Sequence, residues 1–330
     1  MQLTDQFLRK INYLRVSVTD RCDLRCVYCM KEKMDFLPKN EVLSLEEIER
    51  LCDNFIELGV EKIRLTGGEP LVRKNIIHLI KNLNKKKSFT NLKEITLTTN
   101  GSLLKKFAKD LKNNGINRIN VSLDTIVKEK YKEITRFGNL DNVLEGIEEA
   151  VKNNIKVKIN TVVFKNFNDD KITDLINWAN NKLLDLTFIE VMPMSDTDMP
   201  RHMQFVSLDK IFKELNNTYN FNKSDYRTSG PSNYYTSEKL NIKIGFITPL
   251  SNNFCATCNR VRISSTGKLF MCLGQNDFID FREILRSDRG DNYIKEKIRF
   301  SLSVKPKRHD FIINSEVKPY INRHMNETGG

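Results

Sequence analysis

The stretch Leu14-Arg-Val-Ser-Val-Thr-Asp-Arg-Cys22-Asp-Leu-Arg-Cys26-Val-Tyr-Cys29 joins a β-strand to a loop with three cysteines. Its apolar and β-branched residues predict a strand over Leu14–Thr19. The cysteines follow at once with the spacing C-x3-C-x2-C. Three thiols on so short a loop cannot all pair with one another as disulfides, so the spacing favours metal ligands. The stretch therefore predicts a metal-binding loop just after the first strand.

This strand pattern recurs five more times, with helical segments between most of the strands. The further predicted strands are Lys62–Thr66, Glu94–Thr99, Arg118–Leu123, Val157–Val163 and Leu186–Met192, and the helices are Ser44–Leu58, Ile76–Leu83, Leu103–Asn113, Asn142–Lys152 and Asp170–Lys182. Strands that alternate with helices of this length predict a parallel sheet. Six units are too few for a closed eight-stranded barrel. We therefore predict an α/β fold, a partial (βα)6 TIM-like barrel with its active site at the C-terminal ends of the strands.

A second, smaller region follows the barrel pattern. Periodicity is lost over residues 193–204, which we interpret as a linker. We predict the barrel domain at residues 1–200 and a smaller α+β domain at residues 201–330. The second domain has a predicted helix at Leu208–Leu215, predicted strands near Lys243–Ile247, Val261–Ser264 and Lys268–Cys272, and two more helices up to about residue 302.

Composition limits the class of protein. The 330 residues suit roughly two domains. With 54 basic and 42 acidic side chains the formal charge is +12, which suits an anionic partner or reflects a bias spread over solvated faces. The apolar runs are too short for a multispanning membrane protein, and the charged N-terminus lacks a signal-peptide core. We expect a cytoplasmic protein with reduced cysteines.

Six of the seven cysteines form two groups of three. The first triad is Cys22, Cys26 and Cys29, and the second triad is Cys255, Cys258 and Cys272, with the spacing C-x2-C-x13-C. An iron–sulfur cubane usually takes four cysteines, so three leave one iron open to a further ligand. A structural zinc site with a fourth ligand from elsewhere is the alternative for either triad. The seventh, Cys52, is predicted to be a buried core thiol.

A glycine motif at the end of the second strand connects the first triad to a known superfamily. Thr66-Gly67-Gly68-Glu69-Pro70 contains glycines, which let the backbone approach a ligand closely. Together with the first triad, this motif resembles the radical S-adenosylmethionine (SAM) superfamily. The resemblance implies a catalytic [4Fe-4S] cluster on Cys22, Cys26 and Cys29, whose open iron binds SAM and yields a 5′-deoxyadenosyl radical. It also assigns SAM contacts to Tyr28, Gly68, Ser122 and Met192.

Further stretches narrow the resemblance to the radical SAM enzymes that cyclise GTP in the first step of molybdenum cofactor biosynthesis. They are Leu-Arg-Val-Ser-Val-Thr-Asp-Arg-Cys (14–22), Ile-Arg-Leu-Thr-Gly-Gly-Glu-Pro-Leu (63–71), Leu-Thr-Thr-Asn-Gly (97–101), Arg-Ile-Asn-Val-Ser-Leu-Asp (118–124), Phe-Cys-Ala-Thr-Cys-Asn-Arg-Val-Arg (254–262) and the terminal Gly329-Gly330. The resemblance implies a second [4Fe-4S] cluster on Cys255, Cys258 and Cys272, whose open iron holds the guanine. It further implies GTP contacts at Arg15, Arg64, Thr98, Lys158, Arg260 and Arg262, and a catalytic tail at Gly329 and Gly330 that reaches into the active site.

The implied product is (8S)-3′,8-cyclo-7,8-dihydroguanosine 5′-triphosphate, formed when a radical at ribose C3′ attacks guanine C8. The implied partners are GTP, a reductant such as flavodoxin or ferredoxin, and cyclic pyranopterin monophosphate synthase, which receives the product. A homodimer is compatible with the resemblance, whereas no nucleic acid or membrane partner is implied.

Cations at alternate strand positions support a polyphosphate substrate independently. Arg15, Arg64, Lys158, Arg260 and Arg262 interrupt strands that should be apolar. Buried together without an anion they would repel one another, and guanidinium groups suit phosphate oxygens. We expect Lys62, in contrast, to snorkel or to face solvent at an edge.

One position departs from the family pattern. Thr187 stands where many members have arginine. We therefore expect one phosphate contact to be missing or to be supplied elsewhere, by Lys62 or Arg201.

Two other functions remain open. A radical SAM peptide-modifying maturase with an auxiliary cluster would use similar triads, although such enzymes usually carry more cysteines in the second half. A non-catalytic, basic metal-binding protein that contacts nucleic acid would bind zinc and show salt-sensitive binding. The sequence has no recognition-helix or stacking-aromatic signature for the latter.

Overall fold

The computed structural model describes residues 2–194, 201–312, 321 and 323–329. The strands are β1 (Tyr13–Ser17), β2 (Lys62–Thr66), β3 (Glu94–Thr99), β4 (Arg118–Ser122), β5 (Lys156–Val163), β6 (Asp185–Glu190), β7 (Asn222–Lys223), β8 (Asn233–Ser237), β9 (Leu240–Ile247), β10 (Arg260–Ile263), β11 (Lys268–Phe270) and β12 (Phe278–Asp280). The helices are α1 (Leu45–Glu57), α2 (Ile76–Lys86), α3 (Leu104–Asn113), α4 (Lys128–Thr135), α5 (Leu140–Lys152), α6 (Ile172–Asn181), α7 (Arg201–Gln204), α8 (Leu208–Tyr219), α9 (Phe281–Arg286), α10 (Asp291–Ser303) and α11 (Met325–Thr328).

The strands of the described residues form one open sheet in the order β12-β11-β10-β1-β2-β3-β4-β5-β6-β9-β8-β7. The six predicted barrel strands are neighbours in chain order, and each pair is parallel. This confirms the α/β class and the partial barrel.

The strands of the C-terminal part continue this sheet at both edges. β10 pairs in parallel with β1, and β9 pairs in parallel with β6. The sheet therefore has eight adjacent parallel strands, and antiparallel strands lie beyond them on each side. The division of domains at residue 200 remains a prediction.

The two faces of the barrel strands differ in chemistry. β1 and β2 are buried along their whole length, as expected for parallel strands covered on both faces. Leu14, Val16, Ile63 and Leu65 belong to the hydrophobic core, so the alternating side chains Arg15 and Arg64 point to the other face. Alternation thus separates a helix-covered apolar face from a face that carries buried cations.

Local signals in the sequence account for several helix ends. The Ser44 hydroxyl accepts a hydrogen bond from the Glu47 N–H, and the Glu47 carboxylate accepts one from the Ser44 N–H, which forms a capping box at the start of α1. Cys52 on this helix is buried in the core, as predicted. Helix α4 was not predicted from the sequence. Its last turn accepts hydrogen bonds from the backbone N–H groups of Arg25 and Val27. This helix therefore holds the loop of the first triad.

No helix among the described residues is both long and apolar enough to span a membrane.

Candidate active site

The first triad lies on the loop that follows β1. The Cys26 carbonyl accepts hydrogen bonds from the N–H groups of Cys29 (2.8 Å) and Met30 (3.2 Å), which makes a tight turn. The Cys22 sulfur accepts contacts from the Leu24 N–H at 3.4 Å and from the Asn100 amide at 3.8 Å. All seven cysteines are free thiols. Burial, reinforced by nearby acidic groups and by the other thiols, raises the pKa of Cys22 and Cys26.

The Gly-Gly-Glu-Pro motif packs against the backbone that leads into this loop. The Gly68 N–H donates to the Thr19 carbonyl and the Glu69 N–H to the Arg21 carbonyl, both at 2.8 Å. A Cβ atom on Gly68 would lie 2.3 Å from the Arg21 oxygen. Glycine is therefore required here for the approach of two backbones, in addition to any ligand.

Glu69 of the same motif faces inward. Its carboxylate is fully buried and accepts hydrogen bonds from the Leu71 N–H (3.0 Å), the Thr99 hydroxyl (2.9 Å) and the Asn100 N–H (2.7 Å). Burial raises the pKa of Glu69 to about 8, although these donors oppose that effect. Glu69 thus links the end of β2 to the end of β3, and Asn100 reaches Cys22 from there.

The predicted SAM contacts lie around this end of the barrel. The Tyr28 ring packs against the Phe164 ring in a tilted arrangement with the centroids 5.0 Å apart, and the Tyr28 hydroxyl hydrogen-bonds the buried carboxyl of Asp124. Burial raises the pKa of Asp124 to about 6, opposed by its hydrogen bond from the Val162 N–H. Ser122 ends β4 and Met192 follows β6, both half-buried.

A cavity of about 1100 Å³, part of it open to solvent, unites the second triad with five strand cations. Its lining includes Arg15, Arg64, Lys158, Arg260, Arg262, Cys255, Cys258, Cys272 and Met192. Three of the guanidinium groups stand in one row across neighbouring strands, because Arg15 is in register with Arg262 on β10 and with Arg64 on β2. The structure therefore brings together residues that lie far apart in the sequence.

Among the described residues that line the cavity there is no carboxylate side chain. Burial lowers the pKa of Arg15 to about 10, helped by Arg64 and Arg260, and lowers that of Arg262 well below its usual value. Arg64 donates to the Thr98 hydroxyl at 3.0 Å, and the Lys158 ammonium donates to the Tyr234 hydroxyl at 3.1 Å. Such a lining can bind a polyanion such as a polyphosphate.

Tyr13 at the start of β1 also lines this cavity. Burial alone would raise the pKa of Tyr13, but Arg64, Arg15, Lys62 and Arg260 outweigh that effect and lower it to about 7. The phenol is therefore a group in this lining that can gain a negative charge near neutral pH.

The second triad has a cationic environment. The Lys305 ammonium lies 3.7 Å from the Cys258 sulfur, and the Arg9 guanidinium donates to the Cys255 carbonyl at 2.8 Å. Burial raises the pKa of the Cys258 thiol, but Lys305 and Arg260 overcome this effect and lower it to about 7. Burial raises the pKa of Cys272.

The C-terminal tail enters the site between β2 and β10. Gly329 is buried, and its carbonyl accepts a hydrogen bond from Arg262 at 2.6 Å. Its φ is +73°, and a Cβ atom there would lie 2.2 Å from the Thr66 side chain, so glycine is required. Gly330 lies outside the described residues.

Lys62 and Thr187, the two positions at which the sequence left the phosphate contacts open, are both buried. The expectation that Lys62 faces solvent is wrong, because its side chain is buried and forms an ion pair with Glu94 at 2.7 Å. Thr187 is also buried, and its hydroxyl has no hydrogen-bond partner within the described part of the chain. The side chain of Arg201 lies outside that part.

Each triad consists of three free thiols, and thiolates are the ligands of iron–sulfur clusters. The thiols of each triad lie near enough to affect one another: after burial, Cys29 and Cys22 raise the pKa of Cys26, and Cys258 and Cys255 contribute to the raised pKa of Cys272. Within residues 2–194, 201–312, 321 and 323–329, no group of three His, Cys, Asp or Glu side chains is arranged so that it could hold a metal ion.

Several residues of the site were missed by the sequence reasoning. Arg9, Asn100, Lys305 and the inward role of Glu69 became visible only in the fold. Two of them had a sequence signal, because Glu69 belongs to the glycine motif and Asn100 to the quoted stretch at residues 97–101.

Two family models cover most of the chain. The Radical SAM superfamily model matches residues 16–179, and the Molybdenum Cofactor Synthesis C model matches residues 184–311. Among solved structures, SuiB from Streptococcus suis bound to S-adenosylmethionine has a TM-score of 0.60 at 18% identity, covering 88% of this chain and 68% of that chain. At this identity the likeness concerns the fold alone.

Curated relatives match over nearly the whole length. Proteins named GTP 3′,8-cyclase from Brucella ovis and Brucella suis are each 52% identical to this chain over 329 residues, which is 99% of this chain and 96% of each relative. The chain therefore belongs to the GTP 3′,8-cyclases of the radical SAM superfamily.

Proposed function

We propose that the chain converts GTP into (8S)-3′,8-cyclo-7,8-dihydroguanosine 5′-triphosphate, the first step of molybdenum cofactor biosynthesis. The observation that carries this proposal is the cavity whose lining unites five strand cations with the second triad. A polyphosphate would neutralise the cations, and a purine base would lie toward the thiols.

The first triad would hold the cluster that membership of the superfamily implies, together with SAM. When bound, this pair supplies the 5′-deoxyadenosyl radical that removes the hydrogen atom from ribose C3′. Cys22, Cys26 and Cys29 would be the cluster ligands, and Tyr28, Gly68, Ser122 and Met192 the SAM contacts. Glu69 would act indirectly, because its hydrogen bonds hold the glycine motif against the end of β3, from which the Asn100 amide reaches Cys22.

The strand cations would bind and orient GTP. Arg15, Arg64 and Arg262 stand in register and would grip the triphosphate, with Arg260 and Lys158 beside them. The Thr98 hydroxyl keeps the Arg64 guanidinium in place. Fixing the nucleotide at both ends would hold C3′ and C8 in reacting geometry, which can contribute several kcal/mol to catalysis.

The second triad would hold a second [4Fe-4S] cluster on Cys255, Cys258 and Cys272 that binds the guanine. The tail of Gly329 and Gly330 would complete the site, since Gly329 orders Arg262 through its carbonyl. Burial of these groups would exclude water from the reacting radical.

The overall reaction balances with an external reductant. GTP and its cyclic product have the same elemental composition. SAM is cleaved to methionine and 5′-deoxyadenosine, which consumes two electrons and one proton in total, one electron for SAM and one with the proton for the closed ring. Flavodoxin or ferredoxin would supply the electrons, and cyclic pyranopterin monophosphate synthase would take the product.

The proposal is tested by anaerobic reconstitution with iron, sulfide, a strong reductant, SAM and GTP deuterated at C3′. We expect one deuterium in 5′-deoxyadenosine and a new nucleotide that is isomeric with unlabelled GTP. Because the deuterium has moved to 5′-deoxyadenosine, the product is lighter than the GTP supplied by the difference between deuterium and hydrogen, and chromatography distinguishes it from unlabelled GTP. SAM cleavage without transfer of deuterium, or turnover of an added peptide in place of GTP, would contradict the proposal.

A further inference from the structure

Lys305 is a fully buried lysine two residues after the end of α10. Its side chain is 1% exposed. Taking an ammonium group out of water is costly unless an anion or several acceptors compensate. Its surroundings must therefore contain the compensating groups.

The Lys305 ammonium has three partners. It donates to the Arg260 carbonyl at 3.2 Å, to the Met271 carbonyl, and to the Cys258 sulfur at 3.7 Å. No carboxylate forms an ion pair with it among the described residues. Of the three partners, only the Cys258 sulfur can carry a full negative charge.

The backbone of Lys305 is held from the other end of the chain. The Gln6 amide donates to the Lys305 carbonyl at 3.0 Å. Arg9, itself paired with the buried Asp5 at 2.6 Å, donates to the carbonyls of Pro306 (2.7 Å) and Lys307 (2.9 Å). The ammonium is therefore aimed at Cys258 by a fixed scaffold rather than by a mobile side chain.

We propose that Lys305 is a positioning residue that donates a charge-assisted hydrogen bond to the Cys258 thiolate and stabilises the reduced state of the cluster on the second triad. The inference rests on the proposed second cluster. Hydrogen bonds to cluster sulfurs and nearby positive charge both favour the more negative, reduced state. At the first triad the corresponding contacts come from neutral groups, the Leu24 N–H and the Asn100 amide.

The test is a redox titration of the anaerobically reconstituted holoenzyme, followed by EPR spectroscopy. Lys305→Met removes the charge and keeps the length of the side chain, Lys305→Arg keeps the charge, and Lys307→Met removes an exposed charge nearby as a matched control. We expect Lys305→Met to shift the oxidised-to-reduced ratio of the second cluster by at least tenfold toward the oxidised state, ~59 mV for one electron. The first cluster should keep a potential near the wild-type value in every variant. The second cluster should keep it in Lys305→Arg and in Lys307→Met.

Each outcome decides between the possibilities. A Lys305→Met enzyme that keeps both clusters at unchanged potentials overturns the inference, as does loss of the second cluster in both Lys305 variants. Loss of the second cluster in Lys305→Met but not in Lys305→Arg supports the inference, because the positive charge of arginine then suffices to keep the cluster bound. If wild-type protein binds only about four irons, the proposed second cluster is absent, and this result contradicts the proposed function itself.

Discussion

The two cysteine triads have the same ligand chemistry but opposite electrostatic surroundings. Acidic groups, Glu69 and Asp23 among them, join burial in raising the pKa of Cys22. At the second triad Lys305 and Arg260 lower the pKa of Cys258 to about 7. The first loop therefore disfavours thiolates until a cation binds, whereas the second region already compensates for one thiolate.

The triads also lie at opposite ends of one strand. Cys22 follows the C-terminal end of β1, whereas the backbone N–H of Tyr13, at its other end, donates to the Asn259 carbonyl beside Cys258. The strand between them spans roughly 13 Å at 3.3 Å per residue. One end of β1 therefore presents thiols near acidic groups, whereas the other end presents thiols near cations.

Removing one cysteine from each triad in turn should have the largest effect on activity and should separate the roles of the two triads. We expect Cys26→Ala to abolish both SAM cleavage and product, a loss of roughly a thousandfold or more, because the radical source is gone. Cys258→Ala should retain SAM cleavage but lose GTP cyclisation. Formation of 5′-deoxyadenosine and of nucleotide product are measured together, with iron content.

Cys52→Ala is the matched control, since Cys52 is a buried core thiol outside both triads. Equal loss of SAM cleavage in the two triad variants would show that the triads do not have separate roles.

Deletion of Gly329 and Gly330 should have the next largest effect. The Gly329 carbonyl accepts a hydrogen bond from Arg262 in the region between the triads. We expect the truncated protein to bind the wild-type amount of iron but to form no cyclic product. Chromatography of the nucleotide and iron analysis measure this outcome, and wild-type turnover after truncation would refute it.

Arg64→Met should weaken GTP binding without affecting SAM binding. A charge-assisted hydrogen bond is worth about 1.5–3 kcal/mol, so the dissociation constant for GTP should rise roughly 10–100-fold. Isothermal titration calorimetry measures both ligands. Arg118→Met is the control, because Arg118 pairs with Glu94 at 2.8 Å and does not line the cavity. An equal loss of GTP affinity in both variants would contradict the assignment of Arg64.

The smallest expected effect concerns pH. Tyr13 has a pKa lowered to about 7, since the nearby cations outweigh its burial. As pH rises through this value, the phenol becomes a phenolate and adds negative charge beside the triphosphate. GTP affinity should therefore fall between pH 6.5 and 8.5, by at most about tenfold per pH unit for one linked proton. Tyr13→Phe should flatten this dependence, and an unchanged slope would exclude Tyr13 as its source.

Local spacing alone predicted much of this protein. The first triad, the Gly-Gly-Glu-Pro motif and the capping box of Ser44 and Glu47 each span a few residues, so backbone geometry fixes their form. The strand cations were also predictable, because alternation along a strand places every second side chain on the same face. From these signals follow the parallel sheet, the partial barrel and the position of a metal-binding loop.

Tertiary packing decided what joins these local pieces. The sequence could not show that β9 and β10 extend the barrel sheet, that Lys62 pairs with Glu94, or that Arg9 and Lys305 converge on the second triad. Arg9 and Cys255 are separated by 246 positions. No periodicity relates residues so far apart, because their distance depends on how the whole sheet closes and packs rather than on local backbone geometry.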